Sequence, residues 1–297
     1  MAIKDLRTGR GVLIDPDADY PAASLFKLPV MYEVFKQREL GALSLDEVAY
    51  FTERQVDFDL GTLDRPAGAP ITLREALERM VTISDNSSAI LLTDRVGAFN
   101  INQDMADLGF SHTRLDAVNL TTSPQDMLNF FEMIARGQAV NPRTSLDMLE
   151  LMGRQQVNDR IPRLLRRGTS VAHKTGNLPG IVNDVGIVST ADVSFAIAVM
   201  VNGTSEEGIA ALTIAQIAAD SLDYFESVQV PTPTPTVQAT DTPVSTPTIE
   251  PSPSPVSTPV PSPTPARSST PASVSPTRGT VIPTTTPRVT PTRAALS

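Results

Sequence analysis

Ser24 and Lys27 stand three residues apart in PAASLFKLPVMYEVF, residues 21–35, a stretch that is otherwise mostly apolar. On a helix, residues at that spacing are neighbours, so a hydroxyl and an amine would face the same place. Lysine is among the side chains least often fully buried, and one set among apolar neighbours needs compensation. If burial or a second cation depresses its pKa, the amine can take the serine proton and turn Ser24 into a nucleophile. The plainer alternative has Ser24 capping the helix and Lys27 reaching out to solvent along its own stem. Two further stretches favour the chemistry. VTISDNSS supplies Ser84, Asp85 and Asn86, and VAHKTGNLPG supplies Lys174, Thr175 and Gly176. The chain has only four lysines, Lys4, Lys27, Lys36 and Lys174, so half of them fall in these short stretches.

The elements that must position these groups can be read from the patterning. AIKDL and GVLID read as a pair of strands around Arg7-Thr8-Gly9-Arg10. TLREALERM places Thr72 and Glu75 at capping-box spacing, with Leu73, Ala76, Leu77 and Met80 on one helical face. A helix from about Ser87 to Val96 stops at Gly97. VAHKTG, IVNDVGIVS and VSFAIAVMVNG read as successive strands. The last is nearly continuous in apolar residues, as expected of a strand buried on both faces. EEGIAALTIAQIAADSLDYF closes the series as a helix, and the order is that of an α+β protein.

Composition divides the chain. Of 26 prolines, nine precede residue 231 and seventeen follow from it onward, so residues 1–230 read as the folded part. Residues 231–297 read as a disordered Pro/Thr/Ser-rich stalk, unable to bury enough apolar surface to offset its ordering entropy. The stalk holds four arginines against Asp241 and Glu250, which leaves the folded part 20 basic and 31 acidic residues, a net charge of −11. An acidic body argues against a nucleic-acid partner. No run of about 18 apolar residues suggests a membrane span, and MAIKDLRTGRGVLID has no basic-then-apolar secretory signal. A Thr/Pro stalk nevertheless suggests a surface protein, and a start lying further upstream would reconcile the two. His112 and His173 are isolated, without Cys or paired carboxylates, so no metal site is expected.

Ser-x-x-Lys, Ser-Asp-Asn and Lys-Thr-Gly in that order belong to class A β-lactamases and penicillin-binding proteins. KDLRTG, PAASLFKLPV, SDNSSAILL, HTRLD and HKTG are each similar to the pattern of the class A β-lactamase-like serine hydrolases, and the resemblance covers nearly all of residues 1–227. It implies a three-layer α/β/α fold: an antiparallel sheet from residues 1–40 and 166–230, flanked by helices, with a helical subdomain inserted at 41–165. It also implies roles. Ser24 would be acylated, with the substrate carbonyl held by the backbone N–H groups of Ser24 and Asn177. Lys27 would relay the proton, and Ser84, between the nucleophile and Lys174, would pass one toward the leaving nitrogen. Asn86 would bind a substrate amide, while Thr175 with Lys174, on the strand that Gly176 continues, would hold a carboxylate. Asp85 would pin its turn. The implied substrate is a small β-lactam or a peptidoglycan stem peptide, with no cofactor. The implied setting is a monomer outside the cytoplasm or on the cell surface, with the tail as a route to the cell wall.

Three departures from the family qualify this. Class A β-lactamases carry, in a loop after the TRLD-like segment, a Glu that activates the deacylating water. Here only Ala117 to Leu120 separate Asp116 from Thr121, and no Glu lies between Glu78 and Glu132, so acylation with slow hydrolysis is expected. Asp116 matches a family aspartate of structural role. The strand IVNDVGIVS offers no Arg as a carboxylate anchor, leaving Arg166 and Arg167 as substitutes. The first strand begins almost at Met1, without the helix that precedes it in the family, so the core near the last helix is expected to be uncovered. A β-lactamase, a D-alanyl-D-alanine peptidase-like or penicillin-binding protein, and a weakly catalytic cell-wall binding module on a stalk are the three readings open at this point.

Overall fold

The computed structural model describes residues 1–57, 65–116 and 120–228. The stalk read at 231–297 lies outside the described residues, as do residues 117–119. The main sheet has five antiparallel strands in the order β2-β1-β10-β9-β8, formed by β1 Ala2–Asp5, β2 Gly11–Leu13, β8 Ser170–Leu178, β9 Ile181–Ser189 and β10 Ser194–Asn202. Between β2 and β8 the chain forms β3 Tyr20–Pro21, α1 Lys27–Glu39, β4 Val48–Tyr50, α2 Glu53–Asp57, β5 Pro70–Thr72, α3 Leu73–Thr82, α4 Asn86–Val96, α5 Ala98–Asp107, β6 Arg114–Leu115, β7 Leu120–Thr122, α6 Pro124–Ala135 and α7 Pro142–Met152. The last helix is α8, Glu207–Ser227.

Strand β10 explains the layering. Side chains alternate between the two faces of a strand. Phe195, Ile197 and Val199 pack with Ala210, Ala211, Ile214, Ala218, Leu222 and Phe225 of α8. Ala196, Ala198 and Met200 join the core on the other side, built around α1, α3, α4, α6 and α7. The nearly continuous apolar run is therefore two half-cores read on one strand. Caps set where the helices begin: Thr72, Asp85, Ser123 and Asn141 each accept a hydrogen bond from the backbone N–H three residues on. Pro124 and Pro142 follow two of these caps at positions where the missing N–H is harmless. Helix α1 is buried from Lys27 through Phe35, and its apolar composition follows from having helices on several sides.

Beside α8, a groove of about 430 Å³ is lined by Met1, Ile3, Val12, Ile217, Tyr224 and Phe225 among others, with Ile3 and Phe225 themselves buried. Among the described residues, no helix is long and apolar enough to cross a membrane.

The contact between α1 and α5 contains a buried acid pair. Glu33 is 2% exposed, and its Oε1 accepts from Gln37 Nε2 at 2.7 Å. Lys36 pairs with Asp104 and lies 3.8 Å from Glu33. Burial first, then the hydrogen bond with Asp104, push the Glu33 carboxyl up to about 7 from an ordinary 4.5. Between those values the native state binds more protons than the unfolded chain, so this group's stabilising contribution is present at low pH and is lost as pH rises through about 7. Glu33→Gln, which keeps both hydrogen-bonding roles, is expected to flatten that fall. Urea midpoints at pH 5 and pH 8 test it, and equal pH dependence in wild type and variant would refute it.

Candidate active site

The apolar run that makes α1 a buried helix also takes Lys27 out of water, and the amine is compensated by oxygen atoms. Lys27 is 0% exposed, and its Nζ lies 3.1 Å from Ser24 Oγ, 3.0 Å from Ser84 Oγ, 2.5 Å from the Ser84 carbonyl oxygen and 2.7 Å from Asn86 Oδ1. An ammonium has three protons for these four oxygens. A neutral amine has two protons and a lone pair, and so can receive the Ser24 hydroxyl proton. Burial pushes the Lys27 amine down to about 7 from 10.5, against the opposing charge of Asp85. Near neutrality the amine and ammonium forms are thus comparably populated. Lys27 does not reach for solvent, and Ser24, in a short 3-10 turn over Ala23–Phe26, makes no side-chain cap.

Lys174 lies on β8 and is fully buried, with Nζ donating to Ser84 Oγ at 2.9 Å and to the Thr175 carbonyl at 2.9 Å. Burial, then the nearby Lys27 and Arg160, hold its pKa well below the usual lysine range, with Asp184 opposing. The Ser84 hydroxyl therefore sits between two amines, able to accept from one and donate to the other when that one is neutral. Ser84 has φ +61° and Ala23, just before Ser24, has φ +47°, both in the left-handed region that disfavours L side chains. Such conformations persist where surrounding contacts over-determine them. Here those contacts include Lys27 on the Ser84 carbonyl and Asp85 capping α4 through Ser88 N at 2.7 Å.

The other residues expected in the site also lie on these elements. Ser24, Ser84 and Asn86 are partly exposed above buried Lys27, Lys174 and Thr175. Asn86 is oriented by its bond from Lys27, which leaves its Nδ2 as a donor. Asn177 is exposed, paired with Val182 where β8 leaves the core. Gly176 is buried against the nucleophile turn: a Cβ there would fall 2.9 Å from the Ala22 carbonyl and 3.2 Å from Leu25 Cγ. Gly176→Ala is expected to force β8 and the Ser24 turn apart, costing about 1–3 kcal/mol in chemical denaturation. Loss of less than half a kcal/mol would mean the turn yields freely.

Two residues near this cluster carried no clear sequence signal. Asn183, inside apolar β9, donates Nδ2 to the Pro21 carbonyl at 3.0 Å and accepts from Val201 N at 3.3 Å, tying the sheet to the segment before Ser24. Arg160 is 2% exposed, close enough to Lys174 to affect its charge. Its Nε and Nη1 make no hydrogen bond to any described group, and the nearest carboxylate, on Asp159, is 3.7 Å away. Arg166, by contrast, pairs with Glu226 and Asp223 of α8, and Arg167 is exposed. His112 pairs with Asp19 in a partly exposed loop, while His173 is buried next to Lys174. Among the described residues, no group of three or more His, Asp or Glu side chains is placed to hold a metal ion.

The segment after β6 is short. Leu115 pairs with Leu120 and Arg114 with Thr121, which leaves four residues of sequence, 116–119, between the paired strands. Glu132, on α6, is engaged by Lys4 at 2.8 Å and Arg136 at 2.6 Å. Lys27 and Lys174 hydrogen-bond to hydroxyl, backbone carbonyl and amide oxygens.

A five-stranded antiparallel sheet backed by one long helix and faced by a helical unit that delivers Ser24, Lys27 and Ser84 to the edge strand β8 defines a class of proteins. The chain belongs to the β-lactamase enzyme family, whose sequence model matches residues 1–225. It is 26% identical over 204 residues to a β-lactamase of Streptomyces albus G, a match spanning 62% of this chain and 65% of that relative's length. It is also similar to the solved structure of PBP-A, with TM-score 0.72, 28% identity and coverage of 76% of this chain and 89% of that one. A variant of PBP-A is solved as an acyl-enzyme complex with penicillin-G. A β-lactamase from Chitinophaga pinensis DSM 2588 aligns with TM-score 0.70 at 28% identity, covering 75% of this chain and 92% of that one.

Proposed function

We propose that this chain is a serine acyl-transfer enzyme that opens β-lactams or related amides, forming an ester at Ser24. The observation that carries the reading is the Lys27 amine, buried and partly neutral, within hydrogen-bond reach of Ser24 Oγ. In the first step Lys27 takes the Ser24 proton as Oγ adds to the carbonyl, whose oxygen is received by the N–H groups of Ser24 and Asn177. The C–N bond then breaks. The proton needed by the leaving nitrogen comes from the Ser84 hydroxyl, which is replenished by Lys27 or Lys174. Asn86 Nδ2 binds the substrate's amide carbonyl. Thr175 and Lys174 bind its carboxylate, with the Arg160 guanidinium close enough to Lys174 to add its positive charge.

Hydrolysis of the ester needs a base for water. The sequence leaves only residues 116–119 between the paired β6 and β7, with no Glu among them, and Glu132 is paired elsewhere. We therefore read the protein as forming a long-lived acyl-enzyme with β-lactams, in the manner of a penicillin-binding or D-alanyl-D-alanine peptidase-like protein rather than a fast β-lactamase. The acyl-enzyme that a variant of PBP-A forms with penicillin-G supports the acylation step by similarity. Because such a substrate lies outside the cytoplasm, we propose that the domain works there, with residues 231–297 as its stalk. Competition between a fluorescent penicillin and a peptide ending in D-Ala-D-Ala tests the reading. Covalent labelling that the peptide slows is expected. Labelling indifferent to the peptide would remove the peptidase side, and no labelling would remove both.

A further inference from the structure

His173 is 1% exposed and Asp184 is 0% exposed, on adjacent strands immediately behind Lys174 and Thr175. His173 Nδ1 lies 2.9 Å from Asp184 Oδ1, a carboxylate oxygen that only accepts when ionised. Its Nε2 lies 3.0 Å from Asn158 Oδ1. The Asn158 amide is oriented by its other end, where Nδ2 donates to the Gln155 carbonyl at 3.0 Å, so the atom facing the ring is the oxygen. Both ring nitrogens therefore face oxygens, an arrangement that is met with an ionised Asp184 when both nitrogens carry protons. Asp184 Oδ2 meanwhile accepts from Ile161 N at 3.0 Å. Asn158 and Ile161 bracket Arg160, so one imidazole and one carboxylate hold both ends of the segment that bears the guanidinium. Space for the ring is provided by Gly186, paired with His173, where a Cβ would come within 2.6 Å of the His173 Cβ.

We propose that His173 is a positioning residue: a buried imidazolium that, through Asp184 and Asn158, locks residues 158–161 and aims Arg160 at the anion the site takes. The anion part rests on the function proposed above. The clamp also keeps Arg160 close to Lys174, so that its charge adds to the field an incoming carboxylate meets.

The test has two arms. In protein labelled with ¹⁵N-histidine at pH 7, with His112→Gln used for assignment, both His173 ring nitrogens are expected to resonate as imidazolium. A neutral tautomer, with one bare nitrogen, would overturn the proposal. In the second arm, acylation rates are compared for benzylpenicillin and its methyl ester, which lacks the carboxylate. His173→Gln is expected to slow the acid roughly 10- to 100-fold, the worth of a charge-assisted hydrogen bond, and the ester by much less. Arg160→Ala should share the pattern, and the double variant should lose little more. Equal losses on both probes would overturn the positioning role and mark His173 as purely structural. If wild type takes up neither probe, the functional reading fails and the aim at an anion falls with it, while the ring signals still decide whether the ion pair exists.

Discussion

Lys27→Met is expected to slow acylation of Ser24 by a penicillin roughly 10²- to 10⁴-fold, the usual worth of a positioned general base. Methionine fills much the same volume as lysine without charge, so the fold should survive. Leaving the Ser24, Ser84 and Asn86 oxygens without their shared donor costs on the order of 1–3 kcal/mol. The wild-type rate should rise with pH through about 7 as the amine loses its proton, and this limb should vanish in the variant. Stability carries the same signature. The unfolded lysine holds its proton up to 10.5 and the native one only to about 7, so across that window the unfolded chain binds more protons and native stability rises with pH. Stopped-flow acylation and urea unfolding from pH 6 to 10 check both. A rate independent of pH, with Lys27→Met as fast as wild type, would remove Lys27 from the chemistry.

Ser84→Gly is expected to separate catalysis from stability in opposite directions. Glycine adopts φ +61° without the steric cost a side chain meets there, so the backbone should relax by up to about 1 kcal/mol. The hydroxyl that bridges Lys27 at 3.0 Å and Lys174 at 2.9 Å is lost with it. Without that proton path, acylation is expected to fall roughly 10²- to 10³-fold. The two buried amines would also face each other without the oxygen between them, so part of the backbone gain is offset. Parallel measurements of acylation rate and urea midpoint decide it. Undiminished acylation would mean the leaving nitrogen gets its proton elsewhere.

Much of this site was legible in the sequence because its unusual features are local. A lysine inside the apolar PAASLFKLPV is an anomaly of burial, and Ser-Asp-Asn and Lys-Thr-Gly stand out as short motifs, although Lys-Thr-Gly lies within β8 and not at its end. Thr72 lies directly before a helical stretch, and a cap of that kind is written three residues ahead of the N–H it serves. Strand β10 was recognisable for the same reason, though which of its residues faces α8 is set by pairing with β9 and β1. Arg160 was not visible. It sits in QQVNDRIPRLLRRG, without periodicity, and is buried only because His173 and Asp184, far along the chain, draw its segment against β8 and β9. Arg166 looked equally suitable in sequence and proved to face α8. The left-handed backbone at Ala23 and Ser84 was equally hidden, since it is imposed by contacts and not by residue type.

The central claim is that Ser24 is acylated by a β-lactam and releases it slowly. Intact mass followed over time after mixing wild type and Ser24→Ala with benzylpenicillin tests this most directly. A single adduct that forms on wild type, persists for many times its formation time and never appears on Ser24→Ala is the expected result. An adduct equally present on Ser24→Ala, or none on wild type, would contradict acylation at Ser24, and an adduct that vanishes as penicilloate accumulates would contradict its slow release.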